Sequence, residues 1–239
     1  MLAPREMVIL AGGLGTRLRP VLKEQPKCLA PIAGQPFLFW LLDGIARQGI
    51  KRVILAVGYK ADDVRAAVGD ARNGLEITYS NENQPLGTGG AIWASLELCT
   101  DERVFVANGD TWSGMPLCRL GQYAPDADVV MTLKTVTDRS RYGSVCMDGD
   151  KVTGLSEKGL SGDGAINAGL YVLRRDLATR FPMPQEFSFE KDILSRPTGL
   201  NIRACVSSAP FIDIGTPHEF LNAQTLIPQW AQSDGCELP

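Results

Sequence analysis

Between Met7 and Asp110, short apolar runs take turns with stretches of helical spacing, and this alternation restricts the fold more than any other feature of the chain. Met7–Ala11, Arg52–Val57, Leu75–Tyr79 and Arg103–Ala107 read as buried strands. Phe37–Gln48, Lys60–Val68 and Gly87–Leu98 read as helices. The first is apolar nearly all round and is ended by Gly49; the second carries Ala61, Val64 and Val68 on one face. Strands separated by helices imply βαβ units, a mostly parallel sheet and helices on both of its faces.

From Asp126 the rhythm changes. Val129–Thr135, Ser144–Met147, Lys151–Ser156 and Gly169–Leu173 read as strands, with a hairpin turn at Asp148-Gly149-Asp150. Thr216-Pro217-His218-Glu219 has capping-box spacing with Pro at the first helical position, and Phe220, Ala223 and Ile227 supply an apolar face behind it. The expected architecture is α/β: a Rossmann-like mixed, mostly parallel sheet flanked by helices. It forms a single domain over residues 1–239, with an insertion of strands in its second half and a frayed end after Ala231.

Composition removes several classes. Of 239 residues, 44% are hydrophobic and 21% charged, which argues against wholesale disorder. No apolar run approaches the roughly 18 residues that cross a bilayer, so no membrane partner is expected. Met7–Leu14 resembles a weak signal-peptide core, but Arg5 and Glu6 before it and Arg17 and Arg19 after it suit a strand entering a functional loop better. A net charge of −3 gives no general attraction for nucleic acid. Six cysteines without a C-x-x-C pair, and the single His218, argue against a disulfide framework or a zinc site. Reduced thiols in a cytoplasmic protein are expected.

The strongest local feature is Leu10-Ala-Gly-Gly-Leu-Gly-Thr-Arg-Leu-Arg-Pro20, followed by Pro26-Lys27-Cys-Leu-Ala-Pro31. Gly12, Gly13 and Gly15 follow the first strand directly, where bare amides can wrap an anion. Arg17, Arg19, Lys23 and Lys27 stand there against one acid, Glu24. This suits a polyphosphate; alone, it also suits a tight βα turn with solvated charges. A dinucleotide fingerprint does not fit, because Gly13-x-Gly15 runs into Leu18 and Val57-Gly58 lacks a ribose-binding acid. A P-loop does not fit, because no G-K-[ST] closes the loop. A kinase loop does not fit either, because His218 is the only histidine.

Asn108-Gly109-Asp110 ends a strand, which is where open α/β sheets bind ligands. A carboxylate beside phosphates suits Mg²⁺, and Asp213 in Phe211-Ile-Asp-Ile-Gly215 is a second candidate if the fold brings the two together. The alternatives are a turn at Asp110 and a helix-entry residue at Asp213. Pro85-Leu-Gly-Thr-Gly-Gly-Ala91 opens a helix whose glycines let a flat group approach the backbone. Glu82 stands just before it. An acceptor-only carboxylate matches the paired N1–H and N2–H₂ donors of guanine; it reads equally as a solvated loop acid. Phe181, Phe187 and Phe189 read as core.

Taken in order, these segments, with Glu157-Lys158 and Asn167-Ala-Gly-Leu-Tyr171, resemble the sugar-1-phosphate nucleotidylyltransferase family from about Met7 to about Trp230. The resemblance implies the nucleotide-diphospho-sugar transferase fold with a seven-stranded type of mixed sheet. Nucleotide would bind in residues 1–125 and sugar phosphate in residues 126–230. It implies that Leu10, Gly12, Gly13, Gly15 and Thr16 line the triphosphate site, that Arg17 pairs with the departing phosphates, and that Lys27 pairs with the reacting ones. Glu82, Gly87 and Thr88 would face the base, Asp110 and Asp213 would hold Mg²⁺, and Gly143, Glu157, Lys158 and Asn167 would hold the sugar 1-phosphate. Gly159 departs from the proline common after Glu-Lys, which affects the aim of Lys158.

Within the family, the P-L-G-T-G-G-A form and the short chain most resemble members that join GTP to a heptose 1-phosphate for surface polysaccharide. Mannose-1-phosphate guanylyltransferases come next, then thymidylyl-, uridylyl- and cytidylyltransferases. About ten residues follow the last helix, so no appended domain is expected; a homodimer is left open. A nucleotide-sugar glycosyltransferase is disfavoured because its usual Asp-x-Asp occurs only in the 148–150 hairpin. A catalytically silent binding subunit is disfavoured by the presence together of Arg17, Lys27, Asp110, Lys158 and Asp213.

Overall fold

The structure is a computed structural model describing residues 4–13, 15, 18, 22, 25–139, 144–155, 162–195 and 198–232. In chain order its strands are β1 (Glu6–Leu10), β2 (Pro31–Ile32), β3 (Gln35–Pro36), β4 (Arg52–Val57), β5 (Ala71–Arg72), β6 (Leu75–Asn81) and β7 (Arg103–Asn108). They continue with β8 (Thr111–Ser113), β9 (Val129–Val136), β10 (Val145–Asp148), β11 (Lys151–Leu155), β12 (Gly164–Arg174), β13 (Ile202–Ser207) and β14 (Phe211–Asp213). The helices are α1 (Phe37–Arg47), α2 (Ala61–Val68), α3 (Gly87–Leu96), α4 (Leu117–Gln122), α5 (Leu177–Arg180) and α6 (Pro217–Ala231). A 3₁₀ turn covers Lys27–Leu29, and a π-helical segment covers Phe189–Leu194.

Ten strands form one sheet in the order β10-β11-β13-β9-β12-β7-β1-β4-β6-β5. β1, β4, β6 and β7 are mutually parallel, and β5, β11 and β12 run against the general direction. The mixed, mostly parallel sheet is therefore as expected, but it is wider than the seven-stranded type the resemblance implied. Of the second-half strands, β9 to β13 extend the same sheet, β12 pairing with β7 and β9 with β12, while β14 pairs with β8. β13 is not legible in the sequence, because Arg203, Cys205 and the residues around them lack clean alternation.

Side chains alternate across the sheet with the strand period of two. Met7, Ile9, Leu55 and Phe105 pack with Leu38 and Leu42 of α1 and Val64 of α2 on one face. Val8, Ile54, Val104 and Val106 pack with Ile92, Trp93 and Leu96 of α3 on the other. The aromatic cluster at Phe187 and Phe189 belongs to that second core, as expected. α6 begins as its capping box predicts: Thr216 accepts from the Glu219 amide at 3.3 Å, Pro217 is first, and Phe220, Ala223 and Ile227 are buried. Cys28, Cys99 and Cys205 are buried free thiols and Cys146 an exposed one, whereas Cys118 is disulfide-bonded, which corrects the expectation of reduced thiols throughout. Among the described residues, no helix is long and apolar enough to cross a membrane.

Candidate active site

β1 lies between β7 and β4, and the chain leaves it toward β4 and β6 before returning to β7 on its other side. That reversal opens a crevice at the carboxyl ends of β1 and β7, where parallel sheets bind ligands. A cavity of about 350 Å³ occupies it. Leu10, Gly12 and Gly13 form one wall, Asn108, Gly109 and Asp110 a second, and Glu82, Gly87, Thr88 and Glu190 a third, with Lys27 and Cys28 at the base.

The close approach of β1 to β7 needs Gly109. Its amide donates to the Leu10 carbonyl at 3.0 Å, and a Cβ there would lie 2.5 Å from the same oxygen. Gly12 passes equally close to Glu82: an added Cβ would meet Glu82 Oε1 at 2.8 Å.

Lys27 joins the two candidate metal aspartates. Its buried ammonium contacts Asp110 and lies 3.4 Å from Asp213 Oδ1. The two-stranded β8–β14 ladder makes this convergence, because it registers Asp213 against Thr111, the neighbour of Asp110. Thr111 Oγ1 donates to Asp110 Oδ1 at 3.1 Å, and the Gly215 amide donates to Asp213 Oδ1 at 2.7 Å. A Cβ on Gly215 would stand 2.8 Å from Asp213 Oδ1 and 2.9 Å from Lys27 Nζ, so only glycine leaves room for the ion pair.

Two carboxylates against one ammonium leave a net negative charge of hard oxygens beside a glycine-lined anion cradle. Mg²⁺ binds such a pair together with phosphate oxygens and water, without a protein cage. Among the described residues no group of three or more His, Cys, Asp or Glu could hold a metal. Cys28 is no nucleophile, since burial pushes its thiol up to about 12.

Glu82 is half-buried, its Oε2 accepts from the Leu86 amide at 3.1 Å, and burial raises its pKa. Gly89 and Gly90 of α3 are approached closely by the chain itself rather than left open to a flat ligand. Cβ atoms on Gly89 and Gly90 would stand 2.1 Å from the Phe187 ring and 2.2 Å from the Gln185 carbonyl oxygen. Gly87 has φ +69°, and its missing Cβ clears the Phe187 carbonyl while it still lines the cavity.

Thr88 donates to Glu190 Oε2 at 2.7 Å and accepts from the Phe189 amide at 3.0 Å. Ser188 donates to the same Glu190 oxygen at 3.3 Å. Glu190 is the cavity residue that sequence reasoning missed. Its only sequence signal was Ser188, the N-cap of the π-helical segment, and nothing in that spacing points to Thr88.

Gly15 adopts φ +56°, and its missing Cβ makes room for the Lys27 stem, 2.9 Å away. Asn167 does not line this cavity; its Nδ2 donates to the Tyr171 hydroxyl at 2.6 Å, at a bulge in β12. Two residues on, Gly169 packs against Asn108, where a Cβ would meet Asn108 Nδ2 at 2.4 Å. Thr16, Arg17, Gly143, Glu157 and Lys158 lie outside the described residues.

A switch-point cavity with a glycine cradle, a lysine and two converging aspartates is the equipment of a nucleotide-handling α/β enzyme. Residues 6–229 match the nucleotidyl transferase family, and the chain belongs to it. It is 40% identical over 216 residues to the D-glycero-α-D-manno-heptose 1-phosphate guanylyltransferase of Campylobacter jejuni, covering 90% of this chain and 96% of that protein. It is 38% identical over 222 residues to the enzyme of the same name from Aneurinibacillus thermoaerophilus, covering 92% and 96%. The crystal structure of HddC from Yersinia pseudotuberculosis complexed with GMP-PN matches with a TM-score of 0.84 at 38% identity, over 92% of this chain and 98% of that one.

Proposed function

We propose that the protein is a guanylyltransferase that joins GTP to D-glycero-α-D-manno-heptose 1-phosphate, giving a GDP-heptose and pyrophosphate. The observation that carries this reading is the 40% identity to a heptose 1-phosphate guanylyltransferase across nearly the full length of both chains. The cavity chemistry supports the reaction class.

The sugar 1-phosphate is already an anionic nucleophile, so no general base is required. One of its phosphate oxygens forms a bond to the α-phosphorus of GTP, the bond from that phosphorus to the β-phosphate bridging oxygen breaks in line, and pyrophosphate leaves. The barrier lies in bringing two polyanions together and in stabilising the charge that moves between them. Gly12 and Gly13 offer backbone amides to the triphosphate, and Lys27 offers an ammonium to the reacting phosphates. In this reading Arg17 meets the departing phosphates, and Gly143, Glu157, Lys158 and Asn167 meet the sugar 1-phosphate. Asp110 and Asp213 would hold Mg²⁺, whose charge would screen the phosphates. Glu82 would accept from the guanine edge, with Gly87 and Thr88 alongside. The two substrate halves, about 1–125 and 126–230, would act as one domain across the continuous sheet.

The sugar is tested by parallel turnover of heptose 1-phosphate and mannose 1-phosphate at fixed GTP. The two sugars differ at the far end of the ring, and small-pocket differences of this kind are worth about 10–200-fold in kcat/KM. The heptose substrate is expected to win by a factor in that range. A preference for mannose 1-phosphate would replace the heptose assignment.

A further inference from the structure

Three acids line the nucleotide cavity, Glu82, Asp110 and Glu190. The proposed reaction uses Glu82 for the base and Asp110 for Mg²⁺, and leaves Glu190 without a role. Glu190 enters from the π-helical segment and shares a wall of the cavity with Glu82, Gly87 and Thr88.

The two oxygens of Glu190 differ. Oε2 accepts from the Thr88 hydroxyl at 2.7 Å and the Ser188 hydroxyl at 3.3 Å. Oε1 has no hydrogen-bond partner, and no cation pairs with the carboxylate, among the described residues. Thr88 gives its only hydroxyl proton to this acid, and the Phe189 amide holds the Thr88 oxygen from the other side at 3.0 Å. The segment behind it is packed: the Phe189 ring meets Tyr171 edge-on with centroids 5.3 Å apart, and Gly89 and Gly90 admit Phe187 and Gln185 against α3. Glu190 therefore presents one free oxygen from a fixed support.

An ionised carboxylate only accepts hydrogen bonds, so the free oxygen suits a ligand that brings donors. It repels phosphate oxygens, which carry the same charge. A nucleotide with its base at Glu82 and its phosphates along Gly12, Gly13 and Lys27 has its ribose between them, with two adjacent hydroxyls as donors. Dinucleotide-binding folds meet this diol with an acid after the second strand of the unit. Here the corresponding strand ends at Val57-Gly58 without one. Resting on the nucleotide reading above, we propose that Glu190 is the ribose-recognising acid: its Oε1 accepts from the 2′- and 3′-hydroxyls, and the site thereby selects ribonucleotides over deoxyribonucleotides.

The test is calorimetric binding of GTP, ATP, UTP and the 2′,3′-dideoxy form of each to wild type and E190Q. Wild type should bind the ribonucleotide of its preferred base about ten-fold or more tightly than the dideoxy form, and E190Q should bring that ratio close to one. Equal binding of the two forms by wild type, or the same ratio in both proteins, would overturn the proposal; the wild-type comparison does not depend on the variant folding. Failure of the guanine reading has a different signature, a changed base preference with the preference for ribose retained. The sugar 1-phosphate also carries adjacent hydroxyls. If Glu190 served those instead, E190Q would raise the KM for the sugar 1-phosphate and leave the nucleotide ratio unchanged, which overturns the ribose assignment.

Discussion

Lys27 and Asp110, 83 residues apart in sequence, are joined by a side-chain ion pair at the end of the central strands, and Asp213 reaches the same ammonium from β14. A lysine held by two aspartates is poised to exchange partners. In the proposed reaction, entering phosphates would give the ammonium new oxygens to meet and would leave the aspartates to a divalent cation.

Asp110→Asn should abolish product formation, while GTP still binds in the absence of metal. Lys27→Met should lower kcat by about 100-fold or more, on the scale of losing one charge-stabilising donor. Pyrophosphate release measures both and equilibrium dialysis the nucleotide binding. Turnover close to wild type in either variant would remove this cluster from the chemistry.

Glu190 is oriented by the hydroxyls of Thr88 and Ser188, which share one of its oxygens. Glu190→Gln and Thr88→Val should each raise the KM for the nucleotide by about ten-fold, the weight of one hydrogen bond to a charged group. The kcat should change much less. Steady-state kinetics at saturating sugar 1-phosphate separates the two parameters, and an unchanged KM in both variants would leave Glu190 a purely structural residue.

Gly89→Ala would set a methyl group 2.1 Å from the Phe187 ring. Overpacking of this kind costs about 1–3 kcal/mol, to be read from urea denaturation. Because Phe187 leads into the segment that carries Glu190, nucleotide KM should rise in the same variant. A stable protein with unaltered KM would contradict the packing described for α3.

Glu6 gives the clearest pH dependence. Burial alone would raise its pKa, but hydrogen bonds from the Asp101 and Thr100 amides, Arg52 and the Thr100 hydroxyl together lower it. A carboxylate with a lowered folded pKa stabilises the protein above its unfolded value, and this is lost as pH falls through the folded one. Glu6→Gln should therefore cost about 1–3 kcal/mol at neutral pH, and the gap should narrow steadily on acidification below about pH 4. Denaturation curves across that range check the sign; a gap that widens in acid would refute it.

The parallel half of the sheet was legible because its strands and helices are short amphipathic or apolar units whose period survives without partners. Arg52–Val57 and the Thr216 cap are read to the residue. The switch-point cavity was legible too, because glycines at Gly12, Gly13 and Gly109 and the acid Asp110 sit where strands end. What sequence could not carry was convergence. Asp213 meets Asp110 only through the β8–β14 ladder. Glu190 meets Thr88 only because Gly89 and Gly90 let the 185–190 segment lie on α3. Gly89 and Gly90 also show the limit of the glycine signal, since a missing Cβ shows that something approaches without saying whether it is ligand or chain.

The most direct test of the guanylyltransferase assignment is pyrophosphate release from the purified protein with heptose 1-phosphate, Mg²⁺ and, in parallel, GTP, ATP, UTP, CTP or dTTP. The account predicts that GTP is the preferred triphosphate and yields GDP-heptose and pyrophosphate in equal amounts. A preference for UTP or dTTP, or no pyrophosphate from any triphosphate, would contradict it.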